Sequence, residues 1–341
     1  MSLSNARVAP TLEWKGTEML KKTILWLAIS ALLVYLPIRF HLPTQVHADT
    51  PLAVLVSCLG DVTVVRSSGG AVRGIFGLPL STGDEVRTGD ASQAEILFHN
   101  DNLIQIGANS STRVMGPKKI APDAAATPVG EKSFQIVQNF LKLKDSDGTS
   151  SLAQLRSADA DADVRPLSPC QTRVQSDRPE FRWLASDPSD ELQITVYSDE
   201  GVQWESDVTG KTEISYKDSA PALRAGITYW WTLKSTDPLR FPPVATNAVP
   251  FEVLAEADAN ALGVALAGIE KDQSRPSSYH FLRASVFFNY GLMEAAIQET
   301  IQALEVDAEN PTLHSILAHL YQETGRNEEA LGAYDRLLEK R

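Results

Sequence analysis

Ala284-Ser285-Val286-Phe287-Phe288-Asn289-Tyr290-Gly291 and Ala318-His319-Leu320-Tyr321-Gln322-Glu323-Thr324-Gly325 are two forms of one pattern, set 34 residues apart. Ala284 lines up with Ala318, Phe287 with Tyr321 and Gly291 with Gly325. The register continues with Glu294 and Glu328, Ala296 and Ala330, Ala303 and Leu337, and extends back to His280 and His314. A glycine between two apolar-periodic segments, repeated at this period, predicts a pair of helices per repeat. One such pair cannot bury its apolar face alone, so neighbouring pairs stack and leave a groove for another chain. The segment before Arg275-Pro276 fits the same register: Leu262, Leu266 and Ile269 precede Ala296, Thr300 and Ala303 by one period. Ala257 to Lys271 is therefore expected to be the second helix of a repeat whose first helix is missing. Two full repeats and this half repeat occupy residues 255–341.

These residues resemble the tetratricopeptide repeat family, which implies that partners bind on the face lined by the first helix of each pair. At those positions stand Phe281, Ser285, Phe288 and Asn289, then Ser315, His319, Gln322 and Glu323. They are the candidate residues for binding a protein partner. Phe281 and Phe288 are apolar where water is expected, which leaves two readings: contact with a partner, or packing on a neighbouring part of this chain. His319 reads as a surface polar residue.

Upstream, residues 166–254 read as about seven short strands with closely spaced turns, the pattern of an immunoglobulin-like sandwich. Phe181-Arg182-Trp183 and Leu192-Gln193-Ile194-Thr195-Val196-Tyr197 alternate, and Asp199-Glu200-Gly201 turns into Val202-Gln203-Trp204. Leu223 to Trp231 resembles the fibronectin type III strand in which Leu and Gly precede Tyr and Trp, which implies that the Tyr229 hydroxyl ties a corner to nearby backbone. Trp183, Trp204, Tyr229 and Trp231 fall on inward strand positions and read as core, although aromatics in such a module also stack sugars. Trp230 points the other way and is the candidate ligand-stacking residue. Pro238 to Pro250 reads as an irregular loop or edge.

Residues 52–145 read as a first β module. Val54 and Val56, Val62 and Val64, then Ala94, Ile96 and Phe98 recur at every second position, with Gly-, Asn- and Asp-containing turns between them. Phe134 to Leu143 is expected to be its closing strand. Gly60-Asp61-Val62, Leu80, Gly83-Asp84, Thr88-Gly89, Ala94, Ile96, Phe98, Ser110 and Val114 resemble the FecR domain family, over about 65 residues. That resemblance implies a periplasmic β module and, in its best-known members, a relay to a sigma factor. Where the family has Asp-Gly this chain has Asp101-Asn102, and Asn102 is expected to take the same backbone conformation. Asp84 and Asp101 read as turn-capping carboxylates, not as an acid–base pair.

Met19-Leu20-Lys21-Lys22, the apolar run Thr23 to Leu36, and Val46-His47-Ala48 read as a secretory signal within residues 1–48, with cleavage after Ala48. The run is shorter than the ~20 residues of a spanning helix, and an uncleaved inner-membrane anchor is the other reading. Both place the remainder in the periplasm or cell envelope. Residues 146–165 are an acidic linker; Asp145, Asp147 and Gly148 open like a calcium loop, but the closing Glu is missing.

The 341 residues are 43% hydrophobic and 22% charged, with a formal net charge of −12. That balance gives two or three globular domains and excludes a multi-pass membrane protein. It also argues against a nucleic-acid binder, which needs clustered Lys and Arg; Lys118-Lys119 reads as a solvated turn. Cys58 and Cys170 lack neighbours at metal-ligand spacing, so no metal or other cofactor is implied. Cys58 ends the lipobox-like Leu55-Val56-Ser57-Cys58, but reads better as a strand cysteine; pairing of the two thiols stays open. No Ser, Cys or His stands in a nucleophile setting, so no catalytic residue is assigned. The expected fold is multidomain β plus α: a FecR-like β module, an immunoglobulin-like sandwich and a short helical repeat array. The expected role is a non-enzymatic exported adaptor that binds proteins through its repeats. The alternatives are a peptidoglycan- or polysaccharide-binding envelope protein and a FecR-type signal-transducing regulator.

Overall fold

In the computed structural model the strand pattern of residues 52–115 folds into two antiparallel sheets. Strands β1 (Ala53–Leu59), β4 (Pro79–Leu80), β6 (Gln93–Phe98), β7 (Asn102–Ile106) and β9 (Ala126–Pro128) form one sheet, in the order β4-β1-β6-β7-β9. Strands β2 (Val62–Val65), β3 (Ala71–Arg73), β5 (Glu85–Thr88) and β8 (Ser111–Arg113) form the other, in the order β3-β2-β5-β8. Residues 51–115, 126–145, 163–187, 189–239, 243–269 and 276–338 are described. The secretory segment, Lys118-Lys119 and most of the acidic linker lie outside them.

Because side chains alternate across a strand, β1 serves two cores. Ala53 and Leu55 join Val62, Val64, Val86, Ile96 and Ile104 between the two sheets. Val54 and Val56 point the other way and, with Leu97 and Leu103, join the core of the C-terminal helices. β1 is therefore buried on both faces, which explains its unbroken apolar run.

The expected closing strand is corrected. Ser133–Leu141 is an α-helix, α1, continued by a 3-10 turn over Lys142–Asp145. Phe134, Val137 and Phe140-Leu141 recur at helical spacing, and all are buried. The left-handed residue of the preceding turn is Asp101, at φ 60°, while Asn102 already begins β7. Asp101 then caps α1 from outside it: its carboxylate accepts from the Lys132 amide at 2.8 Å and the Phe134 amide at 2.8 Å. Those amides have no partner inside the helix, and a carboxylate there also suits the helix dipole.

The second module is a sandwich of eight strands. One sheet, ordered β10-β12-β15, holds β10 (Val164–Ser168), β12 (Glu180–Ala185) and β15 (Glu213–Ser215). The other, ordered β11-β17-β16-β13-β14, holds β11 (Thr172–Val174), β13 (Leu192–Ser198), β14 (Gly201–Asp207), β16 (Thr228–Ser235) and β17 (Val249–Val253). β11 runs parallel to β17 and all other pairs are antiparallel. Phe181, Trp183, Trp204, Tyr229, Trp231 and Phe251 fill the space between the sheets. The Tyr229 hydroxyl accepts from the Arg224 amide at 2.8 Å, so the expected corner tie is present.

Five helices follow: α2 (Glu256–Ala267), α3 (Pro276–Asn289), α4 (Met293–Val306), α5 (Pro311–Glu323) and α6 (Asn327–Leu338). α3–α4 and α5–α6 are hairpins, each turning at a glycine in the left-handed region, Gly291 at φ 75° and Gly325 at φ 71°. The 34-residue sequence period is thus a period of structure. α2 stands alone before them, with Leu262 and Ile269 buried. Thr50–Arg341 forms one compact unit, so the two β modules and the helical end are not independent beads.

Candidate functional site

The first helices of the two hairpins, α3 and α5, present a common face, and the chain itself covers most of it. Phe281 on α3 is fully buried, with its ring edge-on to Phe76 at 4.5 Å and tilted against Phe140 of α1 at 5.6 Å. Phe288, two turns on, meets Phe140 at 5.3 Å. Along α5, Thr312 donates to the Phe76 carbonyl at 3.2 Å and Ser315 to the Lys144 carbonyl at 3.3 Å. Lys144 in turn donates to the Gly77 carbonyl at 3.2 Å. The face is filled by α1, its 3-10 extension and the Phe76-Gly77 loop of the first module. Close approach is secured where α1 begins: a Cβ on Gly268 would stand 2.9 Å from Gly130 Cα, so neither glycine tolerates a larger residue without a shift.

The partner-binding residues expected from sequence therefore divide. Phe281 and Ser285 are buried, and the Ser285 hydroxyl donates to the Leu282 carbonyl at 2.7 Å. Phe288 and Ser315 contact the same chain's α1 and 3-10 turn, so these four meet an internal ligand. Asn289 and Glu323 are exposed, and His319 and Gln322 are half-buried. His319 Nε2 lies 3.4 Å from Glu323, and the Gln322 amide oxygen accepts from the Tyr334 hydroxyl at 2.8 Å. These four form the uncovered part of the face. Nothing in the sequence reveals this division, because an apolar residue at a groove position reads alike whether the chain or a partner covers it.

The sandwich is joined to the other side of the helices by polar contacts. Thr172 of β11 accepts the Met293 amide at 2.9 Å, capping α4 from a different module, and the Arg173 amide donates to the Gly291 carbonyl at 2.8 Å. An ion-pair chain runs alongside. Arg182 meets Glu294 at 3.0 Å, Glu294 meets Arg326 at 3.3 Å, Arg326 meets Glu329 at 3.0 Å, and Glu329 meets Arg165 at 3.4 Å. Burial opposes the charge on Glu329, but its backbone hydrogen bond and Arg326 and Arg165 outweigh this and hold its carboxyl below the usual range.

In the first module Asp84 is almost fully buried. It accepts from the Ser81 amide at 3.0 Å, the Ser67 amide at 2.9 Å and Arg66 at 2.7 Å. Desolvation pushes its carboxyl up, yet these three donors together win and keep it below the ordinary 3.8. Asp84 and Asp101 thus both serve backbone, as their turn positions predict. Cys58 and Cys170 are free thiols, each pushed up to about 12 chiefly by burial and secondarily by a carboxylate, Asp307 for Cys58 and Glu294 for Cys170. Neither is a nucleophile near neutral pH. Among the described residues no cluster of His, Cys, Asp and Glu could hold a metal ion, and no helix is long and apolar enough to cross a membrane. An open cleft of about 890 Å³ between the first module and α5–α6 is lined by Cys58, Arg73, Lys144, Asp307, His314 and Arg336 among others. Its charges are mixed.

Trp230 lies on the outer face of the five-stranded sheet, half-buried, with its ring stacked on Tyr197 at 6.1 Å and 23°. The register sets Val202, Tyr197, Trp230 and Pro250 side by side on β14, β13, β16 and β17. Trp230 was legible from alternation alone; its companions depend on strand order and on the bulge between Val196 and Tyr197, which the sequence does not display.

No family model matches the chain, and no curated protein matches it. Among solved structures it has likeness to a cell surface anchoring domain, at 23% identity and a TM-score of 0.20, over 21% of this chain and 96% of that one. It also has likeness to dimeric latent PorU from Porphyromonas gingivalis, at 15% identity and a TM-score of 0.21, over 57% of this chain and 16% of that one. A DUF3823 family protein from Bacteroides ovatus aligns at 6% identity and a TM-score of 0.19, over 60% of this chain and 94% of that one.

Proposed function

We propose that this protein is an exported, non-enzymatic scaffold of the bacterial envelope. Its helical repeats act first as the joint between two β modules and second as a docking edge for a protein partner. The observation that carries the reading is the covered groove. Phe281, Ser285, Phe288 and Ser315 engage α1 and its extension, so the helices hold the first module, while Thr172 and the Arg182–Glu294–Arg326–Glu329–Arg165 chain hold the sandwich. The edge left for a partner consists of Asn289, His319, Gln322 and Glu323. In this reading the first module is FecR-like, the second is a fibronectin type III- or immunoglobulin-like sandwich, and the helices are tetratricopeptide repeats. The 34-residue period and the Tyr229 corner support those assignments. A secretory signal in residues 1–48 brings the remainder to the envelope.

Residues 50–341, used as bait on an envelope extract, should capture a protein in substoichiometric wash-resistant amounts, and His319→Ala with Glu323→Arg should abolish that capture. An empty wild-type lane refutes the docking edge; capture untouched by the double substitution moves the contact elsewhere. A second reading, polysaccharide binding by the sandwich, is favoured by the outward Trp230 ring.

A further inference from the structure

We propose that the outer face of the five-stranded sheet binds an uncharged, extended pyranose polysaccharide along the row Val202–Tyr197–Trp230–Pro250. This deepens the polysaccharide reading, on which it rests, and is independent of the protein-docking edge. The row crosses four adjacent strands, one residue from each. Neighbouring strands lie about 4.8 Å apart, so it is roughly 14 Å long and one side chain wide. Strand faces turned to water ordinarily carry polar residues, and the rest of this face does. The next row holds Glu205, Thr195 and Thr232, with Thr195 donating to Glu205 at 3.3 Å, and the row after it holds Asp207, Gln193 and Lys234. Val202 is 61% exposed and the Trp230 and Tyr197 rings are near parallel.

A narrow apolar strip beside hydroxyl and amide groups matches a sugar chain, whose ring C–H faces stack on aromatic rings while its hydroxyls seek hydrogen-bond partners. A second protein is a poorer fit. A stable protein interface buries about 800 Å² per partner with an apolar centre, and here polar rows begin one residue away. Charge chooses among polysaccharides. Glu205 and Asp207 outnumber Lys234 beside the row, and Glu252 is already paired with Arg173 at 3.2 Å. An anionic glycan would meet like charge, which leaves an uncharged one.

The test is calorimetric titration of residues 50–341 with cellohexaose and chitohexaose, with oligogalacturonate as the anionic arm. One or both uncharged hexasaccharides should bind, and oligogalacturonate should not. Trp230→Ala and Tyr197→Ala should each weaken binding at least about tenfold, since one stacked ring contributes of that order. Trp230→Phe keeps a flat ring and should stay within about threefold, which separates lost stacking from lost folding. Absence of binding to both hexasaccharides, equal affinity in Trp230→Ala, or preference for the anionic arm overturns the proposal. So does a concentration-dependent dimer in sedimentation that Trp230→Ala abolishes, because the row is then a self-interface. None of these outcomes bears on the protein-capture test.

Discussion

Replacing Phe281 by Ala tests whether the repeat groove is closed by the chain's own helix. Phe281 has no exposed surface, and its ring is enclosed by Phe76 and Phe140, which belong to the first β module and to α1. Truncating a fully buried Phe costs about 3–5 kcal/mol in lost transfer energy and residual cavity. The edge-on contact with Phe76 adds to that figure, so the upper half of the range is expected. Had α1 been docked elsewhere, Phe281 would face water and its loss would cost no more than about 0.5 kcal/mol, as surface substitutions do. The two situations differ by several kcal/mol, well beyond the error of urea unfolding followed by circular dichroism at 222 nm. A cycle with Phe140→Ala sharpens the test, because residues in contact couple by about 0.5–3 kcal/mol while separate ones add. A cost below about 1 kcal/mol, or strict additivity with Phe140→Ala, refutes the closed groove.

Asp84→Asn should cost about 2–3 kcal/mol at neutral pH, because buried amides and Arg66 lose a charged acceptor. Since the folded-state carboxyl lies below its ordinary 3.8, this stabilisation is complete above the unfolded value. It is lost as pH falls through the folded one, so the stability gap between wild type and Asp84→Asn, measured by urea titration, should close in acid and stay constant above about pH 5; a gap that widens in acid contradicts the assignment. Thr172→Val removes the hydroxyl that accepts the Met293 amide and should cost about 1 kcal/mol, the value of a helix cap. Glu294→Gln cuts the ion-pair chain between sandwich and helices and should cost about 1 kcal/mol at low salt, with the effect shrinking as salt is raised. With Cys58 and Cys170 free and their thiols near 12, Ellman's reagent at pH 8 should label the native chain slowly and label two thiols at once in urea; immediate native labelling refutes their burial, and no labelling in urea means they are paired.

The fold was legible wherever one residue class repeats at a fixed interval. Strand alternation located most strands of both β modules, and the spacing of Gly291 and Gly325 located the hairpin turns. The Leu223–Tyr229 pattern located a hydrogen bond to within one residue. Legibility failed for α1, because Phe134–Leu143 is a short apolar run that fits a buried strand and a buried helix equally. The same limit hid the closed groove. Phe281 reveals an apolar position, but what covers it lies some 140 residues earlier and depends on where α1 docks. Trp230 could be placed on an outer face, whereas its row required the strand order β14-β13-β16-β17, a non-local property. Val54 and Val56 were read as facing the first module's interior, although they line the helical core; a strand buried on both faces has no polar side to reveal its orientation.

The shared core of the first β module and the helices has a consequence for how the chain is made. Val54 and Val56 are near the start of the described chain, and the α3–α6 helices that cover their side of the sheet are the last segment synthesised. The first module therefore leaves the ribosome with one apolar sheet face and an amphipathic helix uncovered, and must wait for more than half the chain before either is sealed. Contacts this distant in sequence are slow to form, because a long loop must close first. In that interval the exposed β1 face is the segment most able to pair with the wrong chain. Truncation anywhere within the helical end should accordingly strand the first module as an aggregating species, even though every residue of its own two sheets is present.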